Sequence, residues 1–481
     1  MRSPFPDGEL VDAAEIGAVD AQSVRVWVRQ PDKATVEARL EVEGRPPVTA
    51  TTSLTDATDW TGAIHLRLPE PAPDRPFVCT VGASRLTGRL APAAEARRGF
   101  AFGFGSCHRP YAATDDHITL RPVAGIYPAM VRDLRRHDAR FVILGGDQVY
   151  SDELPPISVR DKLPGDAEHP PPLDVAVAAY RRVSRGFLGQ AGFRALRESF
   201  PTYCIWDDHD IFNNWGSRLE KSSLDRRLFQ AAARAYCEYQ NQRNPEGGIN
   251  PPPYHYTFRH GTAGFLVLDV RGARDYEHGQ LLGAKQWADV QAYLHGPDAA
   301  TVETLFVVST IPIVHVARWM ALLFDRAPGK GGDQVRDRWC SSAFIDSRDA
   351  VLGELFAWQA GAPTRQVIVL SGDIHAANGV TIRQRRGRGI IHQFTSSAFT
   401  SPHTPSQQIL NMIAARGTNL FEPRFRFKRQ FLAFANNFSV VQVNPLPGGG
   451  HRVTLTIRGW RSRSRTVSTA ARLVCMPSNT R

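Results

Sequence analysis

From residue 100 onward, short apolar runs alternate with segments that have the apolar spacing of amphipathic helices. The apolar runs cover residues 141–144, 203–206, 265–268, 305–308 and 367–370. Strands that are apolar along their whole length and separated by helices are typical of a mostly parallel sheet covered on both faces. Later runs at 390–395, 438–443 and 453–457 have no helical pattern between them. The sequence therefore predicts an α/β domain with an antiparallel part.

The first 97 residues follow a different pattern. Residues 23–28 and 63–68 alternate between apolar and polar side chains, and Pro, Gly and Asp separate such runs. This alternation predicts a small immunoglobulin-like β-sandwich over residues 1–97. We expect the α/β domain to cover residues 98–460 and a mobile basic C-terminal tail to cover 461–481.

Composition excludes several classes of protein. Apolar runs fall well short of the roughly 20 residues that span a bilayer, which predicts no membrane span. The first residues contain no signal peptide pattern, so we expect a cytoplasmic protein by default, or an exported one if the true start lies upstream. Six cysteines without paired short spacings indicate neither a disulfide framework nor a zinc ribbon. The net charge of +11 is compatible with nucleic acid, an acidic membrane surface or small anionic substrates.

Residues capable of binding ligands follow five of the predicted strands. The motifs are Gly-Ser-Cys at 105–107, Gly-Asp-Gln-Val-Tyr at 146–150, Trp-Asp-Asp-His-Asp at 206–210, Leu-Asp-Val-Arg at 268–271 and Gly-Asp-Ile-His at 372–375. In open α/β sheets, ligands bind beyond the carboxyl ends of the strands. We therefore expect these residues to meet at one edge of the sheet.

Five aspartates would converge at this edge: Asp147, Asp207, Asp208, Asp210 and Asp373. Carboxylates a few ångströms apart cannot all remain ionised without compensating charge. Bound polyvalent cations provide that charge, and a pair of them suits the hydrolysis of phosphate esters. Each aspartate alone could instead be a helix cap or a turn residue.

The five motifs, in this order from residue 105 to residue 375, resemble the PhoD-like alkaline phosphatases, which belong to the calcineurin-like metallophosphoesterases. The resemblance implies a four-layer α/β/β/α catalytic domain preceded by a β-sandwich. It also implies hydrolysis of phosphate monoesters or diesters by a metal-activated hydroxide. The expected partner is a small phosphorylated substrate, with nucleic acid only as a substrate and no obligate protein partner.

The same resemblance implies Fe3+ together with one or two Ca2+ ions as cofactors. Asp147 would bridge the metals, Cys107 and Tyr150 would bind iron, and Asp373 and His375 match the last metal-binding motif. Either Asp208 or Asn213 would bind the second metal. The chemistry of the side chains agrees, because thiolate and phenolate suit a highly charged transition metal and carboxylate or amide oxygens suit calcium. Alternatively, Cys107 is a small buried apolar residue and Tyr150 anchors a loop.

Three further residues are candidate catalytic groups. By resemblance, His209 would hydrogen-bond the phosphate or protonate the leaving group, and Asp210 could orient His209 and raise its pKa. Arg271 could bind two phosphate oxygens, because a guanidinium group matches their geometry. A salt bridge between Arg271 and one of the site aspartates is the alternative.

Two other functions remain open at this point. The chain could be a basic binding protein on a degenerate phosphatase scaffold, although Cys107, Asp147, Tyr150, Asp373 and His375 are all retained. A metal-dependent amide or sugar hydrolase has no motif of its own here. The aromatic and basic residues of 421–434 either pack their aromatics inward as a strand or lid, or form a surface for nucleic acid or acidic lipid.

Overall fold

The structure is a computed structural model that describes residues 3–114, 117–217, 221–327, 329–414, 419 and 421–477. The N-terminal strands are β1 (Ala13–Val19), β2 (Ser23–Arg29), β3 (Thr35–Val42), β4 (Val48–Ser53), β5 (Thr61–Arg67), β6 (Pro76–Val81) and β7 (Ser84–Arg89). They form two antiparallel sheets, ordered β1-β2-β5 and β4-β3-β6-β7. Alternate residues of β3 are buried between the sheets, as the period of a β-sandwich requires. The predicted β-sandwich is confirmed.

The larger region contains two large sheets, the small two-stranded sheet formed by β9 and β10, and the α-helices of the described residues. Its strands are β8 (Phe100–Gly105), β9 (Tyr111–Ala113), β10 (Ile118–Leu120), β11 (Ala139–Gly145), β12 (Thr202–Ile205), β13 (Tyr256–His260), β14 (Ala263–Val267), β15 (Thr304–Ser309), β16 (Gln366–Ser371), β17 (Ala377–Gln384), β18 (Ile390–Ser396), β19 (Phe425–Ala433), β20 (Asn437–Pro445), β21 (His451–Arg461) and β22 (Thr466–Cys475).

The helices are α1 (Ile126–Arg136), α2 (Val159–Lys162), α3 (Leu173–Leu188), α4 (Ala191–Ser199), α5 (Asp208–Ile211), α6 (Ser223–Tyr239), α7 (Gly283–His295), α8 (Pro297–Ala300), α9 (Arg318–Phe324), α10 (Gly329–Arg336), α11 (Ile345–Ala360) and α12 (Pro405–Ala414). Single 3-10 turns lie at Asp56–Thr58, Pro122–Gly125 and Asn241–Arg243. In the part of the chain described, no helix has both the length and the apolar character needed to cross a membrane.

The two large sheets pack face to face. One has the order β12-β11-β8-β20-β21-β22 and the other β13-β14-β15-β16-β18-β17-β19. The Phe102 ring of β8 lies edge-on to Phe265 of β14 and to Phe306 of β15, with ring centroids 5.4 and 5.2 Å apart. Helix α1 contacts the outer face of the first sheet and α11 contacts the second. This is the predicted four-layer α/β/β/α arrangement.

Strand direction within these sheets brings several strand ends to one edge. Strands β8, β11 and β12 are parallel to one another, as are β14, β15, β16 and β18. Strands β20, β21 and β22 continue the first sheet in antiparallel order, and β17 and β19 do so in the second. The carboxyl ends of each parallel set therefore point the same way, as the candidate site requires.

The expectation of a mobile tail at 461–481 is wrong for most of that segment. Strand β21 continues to Arg461, and β22 pairs antiparallel with it, with Val453 opposite Cys475. The basic residues Arg463 and Arg465 lie in the turn between these strands. The tail is ordered because β21 offers a free edge whose backbone groups β22 satisfies. Residues 478–481 lie outside the described part.

A buried ionic cluster joins the β-sandwich to the larger region. The carboxylate of Glu15 on β1 accepts hydrogen bonds from Arg197 Nε at 2.9 Å and Nη2 at 2.6 Å, and also from Arg243. All three side chains are fully buried. Burial alone would raise the pKa of Glu15, but the two arginines hold it at about 2.

We expect Glu15→Ala to lower the free energy of unfolding at neutral pH by about 3–5 kcal/mol, because it leaves two buried arginines unpaired. The depressed pKa means that wild-type Glu15 stabilises the fold above its unfolded pKa. This contribution is lost as pH falls from about 4.5 toward about 2. Urea denaturation of both proteins at neutral pH and near pH 3 measures the difference. Glu37→Ala, at an exposed position of β3, is the control; an equal loss there would contradict this role for Glu15.

Candidate metal centre

The loops that follow β8, β11 and β16 meet at the shared edge of the two sheets. Two glycines permit this close approach. A Cβ atom added at Gly372 would lie 2.3 Å from Ser106 Oγ, and one at Gly146 would lie 2.7 Å from the Cβ of Asp207. Gly146 also has a φ of +102°, which favours glycine. The glycines of the two Gly-Asp motifs thus allow their aspartates to reach one site.

Cys107, Asp147 and His375 form the first group of potential metal ligands. Their ligand atoms all lie within 4.8 Å of one another. The hydroxyl of Tyr150 donates to Asp147 Oδ2 at 3.2 Å and lies 3.3 Å from His375 Nε2, so it joins the same group. One thiol, one phenol, one carboxylate and one imidazole therefore surround a single position.

The second group adjoins the first. It consists of Asp207, Asp208 and Asp373, again with ligand atoms within 4.8 Å of one another. A further set of the same size joins Asp147, Asp208 and His209. Because Asp147 and Asp208 each belong to two sets, the three sets form one continuous cluster of potential ligand atoms. Asp147 is the residue shared by the first and the third of these sets.

The electrostatics of this cluster call for added positive charge. Burial, followed by the charges of Cys107 and Asp208, raises the pKa of Asp147 well above its usual range. Burial raises the pKa of Asp207 to about 6, although Arg271 opposes the shift. Oδ2 of Asp207 is buried without a hydrogen-bond partner among the described residues. The residues present therefore fit bound cations, which would pair with this excess of buried carboxylate.

His375 is held in the form that binds metals. Burial, followed by the charge of His209, lowers its pKa to about 3, so its imidazole is neutral at physiological pH. Only the neutral ring has a lone pair free for a metal ion.

The backbone of the predicted ligands is unusual. Cys107, Asp147, Asp373 and His375 have φ values of 62°, 57°, 67° and 52°. Non-glycine residues rarely adopt this left-handed conformation, and it concentrates at functional sites where the surroundings enforce it. Four of the residues predicted to bind metals share it, which indicates that the fold holds these side chains in place at some conformational cost.

His209 lies beside the cluster, but Asp210 does not orient it as predicted. The His209 Nδ1 atom pairs with Asp152 Oδ1 at 2.8 Å, and its ring stacks on Tyr150 with centroids 4.3 Å apart. Oδ2 of Asp210 instead accepts the backbone N–H groups of Asp147 and Asp207, both at 3.0 Å. Asp210 thus fixes the two ligand loops, because its carboxylate turns toward their backbone.

The pKa of His209 shows the effect of these neighbours. Burial disfavours the charged imidazole, yet the carboxylates of Asp152, Glu153 and Asp208 raise the pKa well above its usual value. The raised pKa favours the protonated imidazole, which is the form that a proton donor needs and not the form that binds a metal ion. Asp152 was not identified from the sequence. Its position two residues after Tyr150, in the same loop, was the feature that could have indicated it.

Arg271 forms salt bridges with buried aspartates, which was the alternative to phosphate binding. Its guanidinium group is fully buried and donates to Asp207, and to Asp337 at 2.6 and 3.2 Å. With its donors engaged by these carboxylates and by the carbonyl of Trp215 at 3.2 Å, it has no face open to a substrate. Of the two alternatives for Arg271, the structure favours the salt bridge, since the guanidinium group already pairs with the buried Asp207 and Asp337. Asp337 was not predicted from the sequence.

Asn213 does not join the cluster. Its side chain is exposed and its backbone N–H donates to Asp152 Oδ2 at 2.7 Å, whereas the backbone N–H of Asn214 donates to Asp208 Oδ2 at 2.6 Å. Of the two alternatives for the second metal, Asp208 is the one that the fold brings into the cluster. Arg338 is an unpredicted neighbour whose guanidinium group donates to Asp373 Oδ2.

Comparisons with known proteins identify a family and a fold. A family model described as PhoD-like phosphatase matches residues 102–432. Alkaline phosphatase D of Bacillus subtilis (strain 168) is 28% identical over 137 residues, a match that covers 27% of this chain and 23% of that protein. The aligned region therefore spans less than a quarter of the curated relative.

Solved structures share the fold. A structure of PhoD superposes with a TM-score of 0.69 at 18% identity, covering 96% of this chain and 90% of that one. A purple acid phosphatase, PPD1 from yellow lupin (Lupinus luteus) seeds, superposes with a TM-score of 0.57 at 11% identity, covering 97% of this chain and 74% of that one. Both alignments extend over nearly the whole chain, so they include the β-sandwich and the four-layer region.

Proposed function

The chain belongs to the PhoD-like phosphatase family, and we propose that it hydrolyses phosphate esters at the cluster that contains Asp147 and Asp208. The observation that carries the proposal is the pair of adjoining ligand groups at one sheet edge. A binding protein on a degenerate scaffold would have no need to keep Cys107, Asp147, Asp373 and His375 in a left-handed backbone conformation. The substrate is a small phosphorylated molecule.

We propose Fe3+ for the first group and Ca2+ for the second. The thiol of Cys107 and the phenol of Tyr150 are soft or strongly basic donors that suit a trivalent transition metal, and His375 adds a nitrogen. Asp207, Asp208 and Asp373 offer only oxygen, which suits calcium. Bound at these positions, the cations would lower the pKa of water and neutralise phosphoryl charge.

The side chains around the cluster divide the remaining work. His209, protonated and held by Asp152, donates a proton to the leaving-group oxygen. Arg271 and Asp210 hold the ligand loops in place. Arg338 is partly exposed and reaches Asp373, so it is the arginine we assign to the phosphate oxygens of the substrate.

Elemental analysis paired with hydrolysis assays tests the proposed function. We expect about one iron per chain and hydrolysis of p-nitrophenyl phosphate, bis-p-nitrophenyl phosphate or both that depends on added calcium. The two substrates separate monoesterase from diesterase activity. Zinc or manganese with activity would overturn the ligand roles of Cys107 and Tyr150. A protein with neither metal nor activity would favour the binding scaffold.

Replacing Tyr150 with phenylalanine is expected to remove the visible absorption band of a tyrosinate bound to ferric iron. The substitution deletes only the hydroxyl that lies 3.2 Å from Asp147 and 3.3 Å from His375, so the fold should be kept. Absorption spectra of the iron-loaded proteins measure the effect. Tyr180→Phe, which removes a buried hydroxyl bonded to the carbonyl of Ile211, is the control. A band that persists in Tyr150→Phe would exclude this ligand.

Replacing Arg338 with alanine is expected to raise KM for p-nitrophenyl phosphate, and the inhibition constant of inorganic phosphate, by about 10- to 100-fold. This is the size of a lost charge-assisted hydrogen bond, about 1.5–3 kcal/mol. Arg338→Lys should recover part of the loss. Arg326→Ala, at an exposed position before α10, serves as the control. Unchanged phosphate inhibition would show that Arg338 only neutralises Asp373.

A further inference from the structure

A group of exposed apolar side chains lies beside the metal centre and is unexplained by hydrolysis. Seven large apolar residues on two helices and one loop each have a relative solvent exposure between 43% and 66%. They are Leu322, Leu323 and Phe324 at the end of α9, Ile409, Met412 and Ile413 on α12, and Phe421. These seven are half of the fourteen exposed large apolar residues among the described positions. We call them the apolar rim. Concentrations of this kind mark interaction surfaces.

Helix α12, which carries three residues of the apolar rim, is hydrogen-bonded to the loop that contains Asp373 and His375. Asn411 on α12 is buried, and its Nδ2 donates to the carbonyl of Ile374, the residue between Asp373 and His375, at 2.8 Å. Asn411 Oδ1 pairs with Nε2 of His315 at 3.0 Å, three residues before α9 begins. Ile409, Met412 and Ile413 are spaced to lie together on one face of α12. The helix therefore holds the metal loop with its inner face while its outer face presents apolar side chains.

Arginine side chains lie beside the α9 and Phe421 part of the apolar rim. Leu322 and Phe421 line one open cavity of about 580 Å³ together with Arg318 and Arg385. Arg326, which follows α9, and Arg424, three residues after Phe421, are also exposed.

The neighbouring acids do not cancel all of this charge. Asp325 is buried and accepts hydrogen bonds from Ser342, and Glu422 is buried in an ion pair with Arg348. Arg424 lies 4.0 Å from the carboxylate of Asp349, which itself pairs with Arg348. Among the described residues, the arginines near the rim with no carboxylate partner are therefore Arg318, Arg326 and Arg385.

We propose that the apolar rim docks on the surface of an anionic phospholipid bilayer. Aliphatic side chains that project among arginines can enter the boundary between headgroups and acyl chains while the arginines pair with lipid phosphates. Five of the seven rim residues are leucine, isoleucine or methionine, and only Phe324 and Phe421 offer a ring on which a nucleic-acid base could stack. This mostly aliphatic composition favours lipid over nucleic acid. A second copy of the chain would bring the same arginines against each other. Docking would place the metal centre beside the headgroups of the membrane.

Vesicle sedimentation tests the proposal with the full chain and without turnover, so its result is separate from that of the proposed hydrolysis. We expect binding to vesicles of phosphatidylcholine containing about one third phosphatidylglycerol, weaker binding to phosphatidylcholine alone, and weakening by added salt. Leu322→Ser combined with Leu323→Ser should reduce affinity for the anionic vesicles at least about tenfold. Leu173→Ser with Val175→Ser, two exposed apolar positions of α3, should change it less than about twofold.

Several results would overturn the proposal. These are absence of wild-type binding to anionic vesicles, equal binding by the α9 double variant, or an equal loss in the α3 control. Size-exclusion chromatography adds another test, since a dimer that dissociates in the α9 variant would make the rim a contact between copies of the chain. Two observations together would instead indicate a surface for polyanions in general. The α9 variant would still bind double-stranded DNA, and added DNA would abolish vesicle binding. Circular dichroism confirms that each variant is folded.

Discussion

Replacing Asp147 with asparagine is expected to lower kcat/KM for p-nitrophenyl phosphate by at least about 10³-fold and to release bound metal. Asp147 belongs to two of the three sets of ligand atoms, with its Oδ2 at 3.4 Å from Cys107 Sγ and 3.2 Å from the hydroxyl of Tyr150. A neutral amide provides neither the charge nor the second oxygen that a bridging position requires. The loss of several kcal/mol of transition-state stabilisation corresponds to this rate effect.

The substitution should not disrupt the backbone. Asp147 has a φ of 57°, a conformation that asparagine adopts more readily than most residues. Asp138→Asn is a matched control, because Asp138 has a φ of 48° and lies exposed beyond α1. Steady-state kinetics and elemental analysis of both variants measure the effect. Full metal content and activity in Asp147→Asn would remove this residue from the centre.

Melting temperatures with and without metal provide an independent test of the charge on the Asp147 carboxylate. Burial and the neighbouring Cys107 and Asp208 raise the pKa of Asp147, so its ionised form is unfavourable when no cation is bound. Metal-free Asp147→Asn should therefore melt at a higher temperature than the metal-free wild type. With metal present the order should reverse, because only the wild type gains the binding energy. Calorimetry with and without a chelator distinguishes a ligand from a residue needed only for packing.

The sequence predicted that the candidate ligand side chains meet, because their position follows from strand direction. Cys107, Asp147, Asp208, Asp373 and His375 each lie just beyond a strand, and parallel strands end at one edge. Apolar runs and their spacing were enough to identify these strands. No side-chain contact had to be known.

The partners of individual side chains were not predictable in the same way. Arg271 was expected to face the substrate, yet its guanidinium group pairs with Asp337. Asp210 was expected to orient His209, yet its carboxylate accepts hydrogen bonds from the backbone of the ligand loops. Asp152 pairs with His209 from a different loop. Such choices depend on rotamers and on loops whose path the spacing of apolar residues does not determine.

The C-terminal segment shows a second limit. Arg461, Arg463 and Arg465 made residues 461–481 look like a basic tail, but β22 forms by pairing with β21. An edge strand is stabilised by its partner's backbone, and its own composition carries little of that information.

Replacing His209 with alanine is expected to lower kcat about 10²- to 10⁴-fold, as loss of a general acid does. The loss should be larger for phenyl phosphate than for p-nitrophenyl phosphate, because phenolate is the more basic leaving group and depends more on protonation. His278→Ala is the control, since His278 makes a comparable 3.0 Å pair with Asp275 on the surface. Equal losses for both substrates would assign His209 to holding the phosphate.

The variant Asp152→Asn tests whether Asp152 raises the pKa of His209. Asp152 and Glu153 raise the pKa of His209 against the effect of burial, so removing one carboxylate should lower that pKa. A general acid is active when protonated, and its activity declines once pH exceeds its pKa. The alkaline limb of the kcat profile should therefore move to lower pH in Asp152→Asn, while kcat on the acid side stays closer to wild type. Asp275→Asn, at the surface pair, should leave the profile in place. An unshifted limb in Asp152→Asn would mean that Asp152 supports the loop of Asn213 through its 2.7 Å backbone contact without tuning the acid.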